Sequence, residues 1–269
     1  MIIINLVFEG GGIKGLCYIG VMKAFEERGI KINKVAGTSV GALFASLISA
    51  GYRSNEIIDI IESIDIEKLW KRNNNIIYKT KEIIANKSIY DVSLLEELLE
   101  EVLSKKNITK FIDVKQGDDY NLKVISTIIK PKSLVVIPND LKKYNIDPDN
   151  FKISKAVSMS CAIPLVYQNY KLNGYRFVDG GIADNFPIWL FDNPIGVRVN
   201  GNNKIIKLIN NFYKKDKIKM SNLENIISID TTGFNAIKFI DGLNCKSQLI
   251  NRGYYYAKQF LDNLMMNKN

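Results

Sequence analysis

Two consecutive strand–helix units at the amino terminus constrain the fold of this chain more than any other feature. Residues 2–8 are a short apolar run rich in β-branched side chains, which is typical of a buried strand. A glycine cluster ends the run, and residues 13–28 then predict a helix that Gly29 closes. A second strand over residues 32–36 leads through a tight turn into a helix from Val40, which carries an apolar stripe at helical spacing. Strands that alternate with helices through such short connections indicate a parallel sheet covered by helices.

The remainder of the chain continues with helices and strands, and no linker, repeat or low-complexity segment divides it. Asn173 and Gly174 predict the turn of a β-hairpin, and Ser93 and Glu96 have the spacing of a helical capping box. The hydrophobic pattern predicts further helices over 54–87, 91–103, 153–160 and 247–264, and further strands over 122–129, 133–137, 167–172, 175–178, 195–199 and 226–230. We therefore predict a single domain over residues 1–269, with a three-layer α/β/α architecture around a mainly parallel central sheet.

The absence of histidine from all 269 residues limits the chemistry that the chain can perform. Histidine is the commonest general base and the commonest zinc ligand, so Ser-His-Asp and Cys-His catalysis and H-E-x-x-H metal sites are excluded. The three cysteines stand far apart without a C-x-x-C pair, and we expect them to be buried free thiols of a reducing compartment. We predict no metal and no cofactor. Any catalysis must use carboxylate, lysine, tyrosine, hydroxyl, thiol or backbone groups.

The net charge of +9 suits nucleic acid, an anionic membrane surface or an acidic substrate as a partner. Lysine is abundant along the whole chain, however, which is typical of a global compositional bias, and we expect no nucleic acid partner. The sequence shows neither a signal peptide nor an apolar run of about 20 residues, so we expect a cytoplasmic protein that touches a membrane at most peripherally. A basic segment with aromatic residues at 69–87 fits such a contact, and it equally fits a polar helix whose apolar side chains pack inward.

A G-x-S-x-G sequence occupies the turn between the second strand and the helix that follows it. Its glycines are Gly37 and Gly41, and its serine is Ser39. This is the pattern of a nucleophile elbow, in which a sharp turn raises the serine hydroxyl above the sheet at the positive end of a helix dipole. A plain tight turn explains a bare five-residue match, but the strand–turn–helix context favours a nucleophile.

A second glycine-rich sequence, which we call the glycine loop, follows the first strand and opens the first helix. Its members are Gly10, Gly11, Gly12, Ile13, Lys14 and Gly15. The loop suits either the pyrophosphate of a dinucleotide or an oxyanion hole, in which backbone N–H groups and the Lys14 charge stabilise a negative charge. The second strand ends without the carboxylate that a ribose requires, and Leu16 stands where a P-loop has lysine. The context favours the oxyanion hole, and a nucleotide- or phosphate-binding module is the alternative.

A general base must come from another residue type, and an Asp-Gly-Gly sequence offers one. Asp179, Gly180 and Gly181 directly follow the predicted strand at 175–178. A strand end can hold such an aspartate rigidly at the rim of a sheet, where Ser39 is also expected to emerge, and the glycines allow another chain or a substrate to approach closely. Asp-Gly is also a common turn dipeptide, so this sequence alone is weak evidence.

The three motifs in this order, each at a strand end, resemble the patatin-like phospholipase family. That family is similar in its Gly-rich oxyanion loop with a basic residue, its G-x-S-x-G serine and its D-G-G/A aspartate. Residues 158–164 and 184–187 look like further family segments, and the likeness covers about residues 4–200. One departure is Lys14, because arginine is frequent at this position in the family. Lysine keeps the charge but loses the planar fork of donors.

The resemblance implies a catalytic dyad of Ser39 and Asp179. It places the backbone of residues 10–12 and the Lys14 side chain around the oxyanion, and it implies a lipid acyl hydrolase that acts on phospholipids or lysophospholipids. A catalytically idle family member that only binds membranes or partners is a further alternative. The presence of both Ser39 and Asp179 argues against that alternative.

Overall fold

A computed structural model describes residues 2–64, 92–164, 166–200, 225–234 and 244–266, and in this part of the chain the predicted α/β fold is confirmed. Its helices are α1 (Cys17–Glu27), α2 (Val40–Ser49), α3 (Ser54–Ser63), α4 (Ser93–Ser104), α5 (Ile153–Ser160) and α6 (Lys246–Met266). Its strands are β1 (Ile3–Phe8), β2 (Lys31–Thr38), β3 (Lys115–Gln116), β4 (Asp119–Tyr120), β5 (Leu122–Ile128), β6 (Ser133–Ile137), β7 (Tyr170–Leu172), β8 (Tyr175–Asp179), β9 (Ile195–Asn200) and β10 (Ile226–Asp230).

The central sheet is mainly parallel and has an antiparallel end. Its strand order is β10-β9-β1-β2-β5-β8-β7, and β6 also pairs with β5. The pairs from β10 to β5 are parallel, whereas the β5–β6, β5–β8 and β7–β8 pairs are antiparallel. Because β1 and β2 are neighbouring parallel strands, the loops that follow them lie side by side at the carboxyl edge of the sheet, where ligands of such folds bind.

The register of β5 with its neighbours brings two distant parts of the chain to the same level of the sheet. Thr38 at the end of β2 pairs with Ile125 of β5, so the next residue, Ser39, is level with Ser126. Asp179 at the end of β8 pairs with Ser126 from the other side. Ser39 and Asp179 therefore flank β5 at one level, although β8 runs antiparallel to β5.

The main hydrophobic core lies on one face of the sheet, between the strands and helices that include α1 and α2. The rings of Phe8 and Tyr18 are 4.6 Å apart between centroids, and Tyr18 meets Phe44 edge to face. The other face of β1, at Val7, packs against Phe191 in the segment between β8 and β9. The segment between β8 and β9 therefore covers part of the second face of the sheet.

The backbones of α1 and α6 are in contact at two glycines, Gly20 of α1 and Gly253 of α6. A Cβ on Gly20 would lie 1.9 Å from the Ile250 carbonyl oxygen, and one on Gly253 would lie 1.8 Å from the Cys17 carbonyl oxygen. Real side chains do not approach a backbone this closely, so only glycine fits at these two positions. The close crossing fixes α6 against the helix that follows the glycine loop.

The starts of two helices differ from the sequence-based prediction. α1 begins at Cys17 rather than at residue 13, because Gly12–Leu16 winds as a 3₁₀ helix. The prediction of a capping box at Ser93 and Glu96 is wrong. α4 begins one residue earlier than such a box requires, and Val92 stands at the N-cap position without a side-chain cap. Both differences lie in helix ends, where local sequence decides least.

The predicted β7–β8 hairpin is confirmed, with Asn173 and Gly174 at φ values of 47° and 80°, as a type I′ turn requires. All three cysteines are free thiols, and Cys17 and Cys161 are buried as predicted. The prediction of burial is wrong for Cys245, which is only half-buried near the start of α6. Of the helices in the described ranges, none is long and apolar enough to cross a bilayer. The basic segment 69–87 lies outside the described residues, as does the predicted helix beyond residue 64.

Candidate active site

Ser39 lies in the turn between β2 and α2, and the turn is strained. Its φ of 55° and ψ of −126° are unusual for a residue with a side chain. A Cβ on Gly37 would lie 2.3 Å from the Gly41 carbonyl oxygen, and one on Gly41 would lie 2.6 Å from the Phe8 carbonyl oxygen. Both flanking positions must therefore be glycine. The segment has the sharp strand–turn–helix form expected of a nucleophile elbow.

Asp179 ends β8 and is buried across β5 from Ser39. Its Oδ1 atom accepts a hydrogen bond from the Gly181 N–H at 2.7 Å. Burial raises the pKa of the Asp179 carboxyl to about 6, against the opposing effects of hydrogen bonds from the Ser39 hydroxyl and the Gly181 N–H. Its buried Oδ2 atom makes no well-aligned hydrogen bond within the described residues. The Ser39 hydroxyl is thus within reach of the carboxylate but not tightly bonded to it, which is common in enzymes without substrate.

Two side chains that local sequence patterns do not reveal contact Ser39 from the end of α5. The Ser160 hydroxyl accepts a hydrogen bond from the Ser39 N–H at 2.8 Å and donates one to the Ile125 carbonyl oxygen at 2.5 Å. Burial raises the pKa of the Cys161 thiol, whereas its hydrogen bond with the Ser39 hydroxyl lowers it. Ser39 and Ser160 are 121 positions apart in the chain, so only the folded structure shows that they meet.

The glycine loop lies beside Ser39, and its N–H groups differ in their availability. A Cβ on Gly10 would lie 3.2 Å from the Cβ of Ser39. The Gly10 N–H donates to the Asn185 carbonyl oxygen at 3.0 Å, and the Asn185 side-chain amide donates back to the Gly10 carbonyl oxygen at 3.0 Å. The N–H groups of Gly11 and Gly12 stand at the start of the 3₁₀ helix and have no backbone acceptor in the described part of the chain. The available donors of this loop are therefore those of Gly11 and Gly12.

Asn185 links the glycine loop to the Asp-Gly-Gly turn. Its Oδ1 atom would lie 2.5 Å from a Cβ on Gly10 and 2.7 Å from one on Gly181, so a side chain at either position would displace it. A Cβ on Gly180 would lie 2.3 Å from the Ile125 carbonyl oxygen. Two further glycines of the loop are confined by side chains, Gly11 by that of Val199 and Gly15 by that of Val40. The glycines of all three motifs thus allow the loops to pack together around Ser39.

Lys14 is fully buried, and its Nζ atom has no hydrogen-bond partner among the described residues. Burial lowers the pKa of Lys14, while Cys17, Glu9 and Asp230 oppose that effect. Glu9 follows β1 and Asp230 ends β10, so in the strand order these carboxylates lie on the opposite side of β2 from Asp179. Lys14 therefore brings a positive charge to the glycine loop without a hydrogen bond that fixes its direction.

The end of β2 is not built to hold a ribose. β2 ends at Thr38, whose hydroxyl donates to the Asp184 carbonyl oxygen at 3.0 Å. The Asp184 carboxylate is already engaged by the Phe186 N–H and by the Trp189 indole N–H. The Ser39 turn occupies the place beside the glycine loop where a dinucleotide-binding fold presents its acidic residue. The geometry gives no support to the nucleotide-binding alternative.

Known proteins resemble this chain over most of its length. The family model of the patatin-like phospholipases matches residues 6–192. The uncharacterized protein YqhO of Bacillus subtilis is 36% identical over 196 residues, which are 70% of this chain and 66% of that protein. The probable lipid hydrolase 463L of Invertebrate iridescent virus 6 is 26% identical over 196 residues, which are 68% of this chain and 61% of that protein.

A solved structure shares the fold. VipD from Legionella pneumophila matches 96% of this chain and 66% of its own with a TM-score of 0.62 at 18% sequence identity. The chain thus spans about two thirds of the length of each of these relatives. The region matched by the family model includes the glycine loop, the Ser39 turn and the Asp-Gly-Gly turn, and it exceeds half of the chain. The chain therefore belongs to the patatin-like phospholipase family.

Proposed function

We propose that this protein is a serine hydrolase of lipid acyl esters, with Ser39 as the nucleophile and Asp179 as the general base. The observation that carries the proposal is the position of these two buried side chains, which flank β5 at one level with the hydroxyl within reach of the carboxylate. The absence of histidine leaves few other candidates for the base. The family description, together with the name of the viral relative, supports a lipid substrate.

We assign phospholipids or lysophospholipids as the substrate class. The family resemblance supports this assignment, because the matching model describes phospholipases. Such substrates reside in bilayers or micelles, so peripheral contact with a membrane surface is part of the proposal. The net charge of +9 favours an anionic surface over a neutral one.

The reaction proceeds in two steps through an acyl-enzyme. Asp179 accepts the hydroxyl proton as the Ser39 oxygen attacks the ester carbonyl carbon, and the resulting oxyanion accepts hydrogen bonds from the Gly11 and Gly12 N–H groups. The intermediate collapses, the alkoxide leaving group takes the proton from Asp179, and the acyl group remains on Ser39. Water then attacks the acyl-enzyme and gives its proton to Asp179, after which the fatty acid leaves and Ser39 regains a proton.

The environment of Asp179 improves a carboxylate as a base. A base works best when its pKa lies near the working pH, and burial brings the pKa of Asp179 from about 3.8 to about 6. Positioned base catalysis contributes about 10²–10⁴-fold, and one oxyanion-hole donor contributes about 10²–10³-fold. The two amide donors together are therefore expected to contribute at least as much to the rate as the base does. The buried Lys14 charge adds to the positive potential of the loop.

The pH dependence of kcat/KM tests the role of Asp179. The base must be ionised in the free enzyme, so kcat/KM is expected to rise about tenfold per pH unit below pH 6 and to level off above it. The measurement uses a soluble aryl ester from pH 4.5 to 8.5, with folding checked by circular dichroism at each pH. A plateau that already begins at pH 4.5 would show that the carboxylate is not the group that titrates.

Covalent labelling tests the nucleophile directly. A fluorophosphonate probe is expected to react with Ser39, and peptide mass spectrometry locates the adduct. Ser49→Ala is the matched control, because Ser49 lies at the other end of α2 and its hydroxyl only donates to the Ser46 carbonyl oxygen. That variant should label at the wild-type rate. An adduct on any other serine, or no adduct in folded protein, would refute the assignment.

The same protein then distinguishes the substrate classes. Vesicles of phospholipid, micelles of lysophospholipid and emulsions of triacylglycerol are compared at equal acyl concentration, with fatty acid release as the readout. Release from either of the first two substrates, and not from triacylglycerol, is expected. Cleavage confined to triacylglycerol would keep Ser39 and Asp179 in their roles but contradict the proposed substrate class.

A further inference from the structure

The segment that ends α5 contacts both members of the proposed dyad. The Ser160 hydroxyl accepts the Ser39 N–H at 2.8 Å, and the carbonyl oxygen of Ala162 accepts the Asp179 N–H at 2.9 Å. Between these two residues, the Cys161 thiol forms a hydrogen bond with the Ser39 hydroxyl. Three successive residues thus connect the nucleophile turn with the strand end that carries the base.

The Ser39 N–H needs a partner outside the regular secondary structure. With φ at 55°, Ser39 stands between β2 and α2, and as the N-cap residue it donates no hydrogen bond within the helix. The residue is buried, so water does not replace a missing acceptor. A buried N–H without a partner is unfavourable, and a strained turn persists only where its surroundings hold it. The Ser160 hydroxyl supplies that support.

The direction of both hydrogen bonds at Ser160 is fixed. Its hydroxyl has one proton, which it donates to the Ile125 carbonyl oxygen at 2.5 Å, so it can only accept from the Ser39 N–H. Ile125 belongs to β5, the strand that separates Ser39 from Asp179. The hydroxyl therefore ties the nucleophile turn to the strand against which Asp179 is paired.

We propose that Ser160 is a positioning residue of the dyad, whose hydroxyl holds the Ser39 turn in the conformation that aims the nucleophile at Asp179. This inference rests on the proposed role of Ser39. It also bears on the oxyanion hole. The Ser39 N–H already donates a hydrogen bond to the Ser160 hydroxyl, so it is not free to stabilise the oxyanion. The Gly11 and Gly12 N–H groups of the glycine loop remain available as oxyanion donors.

Ser158 provides a matched control in the same helix. It is fully buried, like Ser160, but its hydroxyl has no hydrogen-bond partner among the described residues. Ser158→Ala and Ser160→Ala remove the same atom from the same buried helix. Any difference between the two variants therefore reflects the bonds that Ser160 makes to Ser39 and Ile125.

The first experiment measures kcat and KM for a soluble aryl ester at a temperature where both variants are fully folded. A misplaced reacting group can cost about 10²-fold, so Ser160→Ala is expected to lower kcat by about 10- to 100-fold with KM changed less than about threefold. Ser158→Ala is expected to change kcat less than about twofold. Equal kcat values for the two variants would overturn the proposal.

An isosteric pair covers the case in which Ser160→Ala does not fold. Thr and Val at position 160 have nearly the same shape and impose the same crowding, but only Thr retains the hydroxyl. Ser160→Thr is expected to exceed Ser160→Val at least tenfold in kcat. If the two variants are equally active, the hydroxyl does not position the nucleophile, and the proposal fails.

Amide hydrogen exchange gives a readout that does not depend on catalysis. The Ser39 N–H is expected to exchange slowly in the wild type and in Ser158→Ala, and faster in Ser160→Ala. Unchanged exchange in Ser160→Ala would refute the inference even if activity falls. If exchange changes as expected but the fluorophosphonate adduct lies on another serine, the proposed function fails and the contact between Ser160 and Ser39 stands.

Discussion

Replacing Asp179 by asparagine is expected to lower kcat for ester cleavage by about 10²–10⁴-fold and, at neutral pH, to stabilise the protein. Asparagine cannot accept the Ser39 proton, but its side-chain oxygen can still accept the Gly181 N–H that Oδ1 of Asp179 accepts. Activity is expected to fall because the substitution removes the proposed base. Stability is expected to rise because it removes a buried negative charge. The two effects are opposite in sign because the site holds an ionised carboxylate where burial disfavours it.

The stability effect depends on pH in a defined direction. The pKa of Asp179 is raised from about 3.8 in the unfolded chain to about 6 in the fold, so the folded state binds the proton more tightly. Stability contributed by this proton is present below about pH 4 and is lost between pH 4 and 6. Above pH 6 the ionised carboxylate costs about 3 kcal/mol, the equivalent of a shift of about two pKa units.

Thermal unfolding at pH 8 and at pH 4 measures this difference. Asp179→Asn is expected to raise Tm by several degrees at pH 8 and by much less at pH 4. Asp59→Asn is the control, because it removes the same charge from an exposed position on α3. A rise in Tm of equal size at both pH values, or a fall at pH 8, would contradict a buried ionised carboxylate at position 179.

The activity effect has its own reference variants. When two residues act as a unit, replacing either one lowers activity about as much as replacing both. Ser39→Ala, Asp179→Asn and the double variant are therefore expected to retain similarly low activity. Additive losses in the double variant would indicate that Ser39 and Asp179 act independently. Residual hydrolysis in all three would come from the oxyanion donors and substrate binding.

Gly253→Ala is expected to destabilise the protein by about 3 kcal/mol, the upper end of the cost of overpacking. Helix propensity alone predicts the opposite, a gain of about 1 kcal/mol for replacing glycine in a helix. The structure decides the sign: a Cβ on Gly253 would lie 1.8 Å from the Cys17 carbonyl oxygen, so α6 must move away from α1. Because α1 follows directly from the glycine loop, kcat is expected to fall as well.

Urea denaturation measures the free energy of unfolding of this variant. Asn251→Ala is the matched control, since Asn251 is exposed on α6 two positions away and reports helix propensity without the close contact. It should be neutral or slightly stabilising. If Gly253→Ala is as stable as the control, the backbones of α1 and α6 do not touch in solution.

Elements defined by a local pattern could be predicted from the sequence almost residue by residue. α5 and β10 have the predicted bounds, because a short run of periodic or β-branched residues between breakers determines each of them. The hairpin at Asn173 was equally clear, since its turn residues prefer positive φ. Helix starts were less predictable: the 3₁₀ turn before α1 depends on how the glycine loop packs against Val40 and Val199.

The motifs of the candidate site were visible in the sequence, but their connections were not. Ser39 and Asp179 could be named because each follows a predicted strand. The sequence could not assign a role to Ser160 or Asn185, because their hydrogen-bond partners lie 121 and 175 positions away along the chain. For the same reason the sequence could not show that the Gly10 N–H is occupied by Asn185, which leaves Gly11 and Gly12 as donors.

The arrangement of Ser39 and Asp179 on opposite sides of β5 would make the reactivity of the proposed dyad a reporter of the central strands of the sheet. A molecule that has released β8 still contains the Ser39 turn, yet it has lost the proposed base and the contact through Asn185 to the glycine loop. Fluorophosphonate labelling under partially denaturing conditions therefore counts molecules in which β1, β2, β5 and β8 are all assembled. A single covalent probe of the proposed active site thus also measures the cooperativity with which these strands unfold.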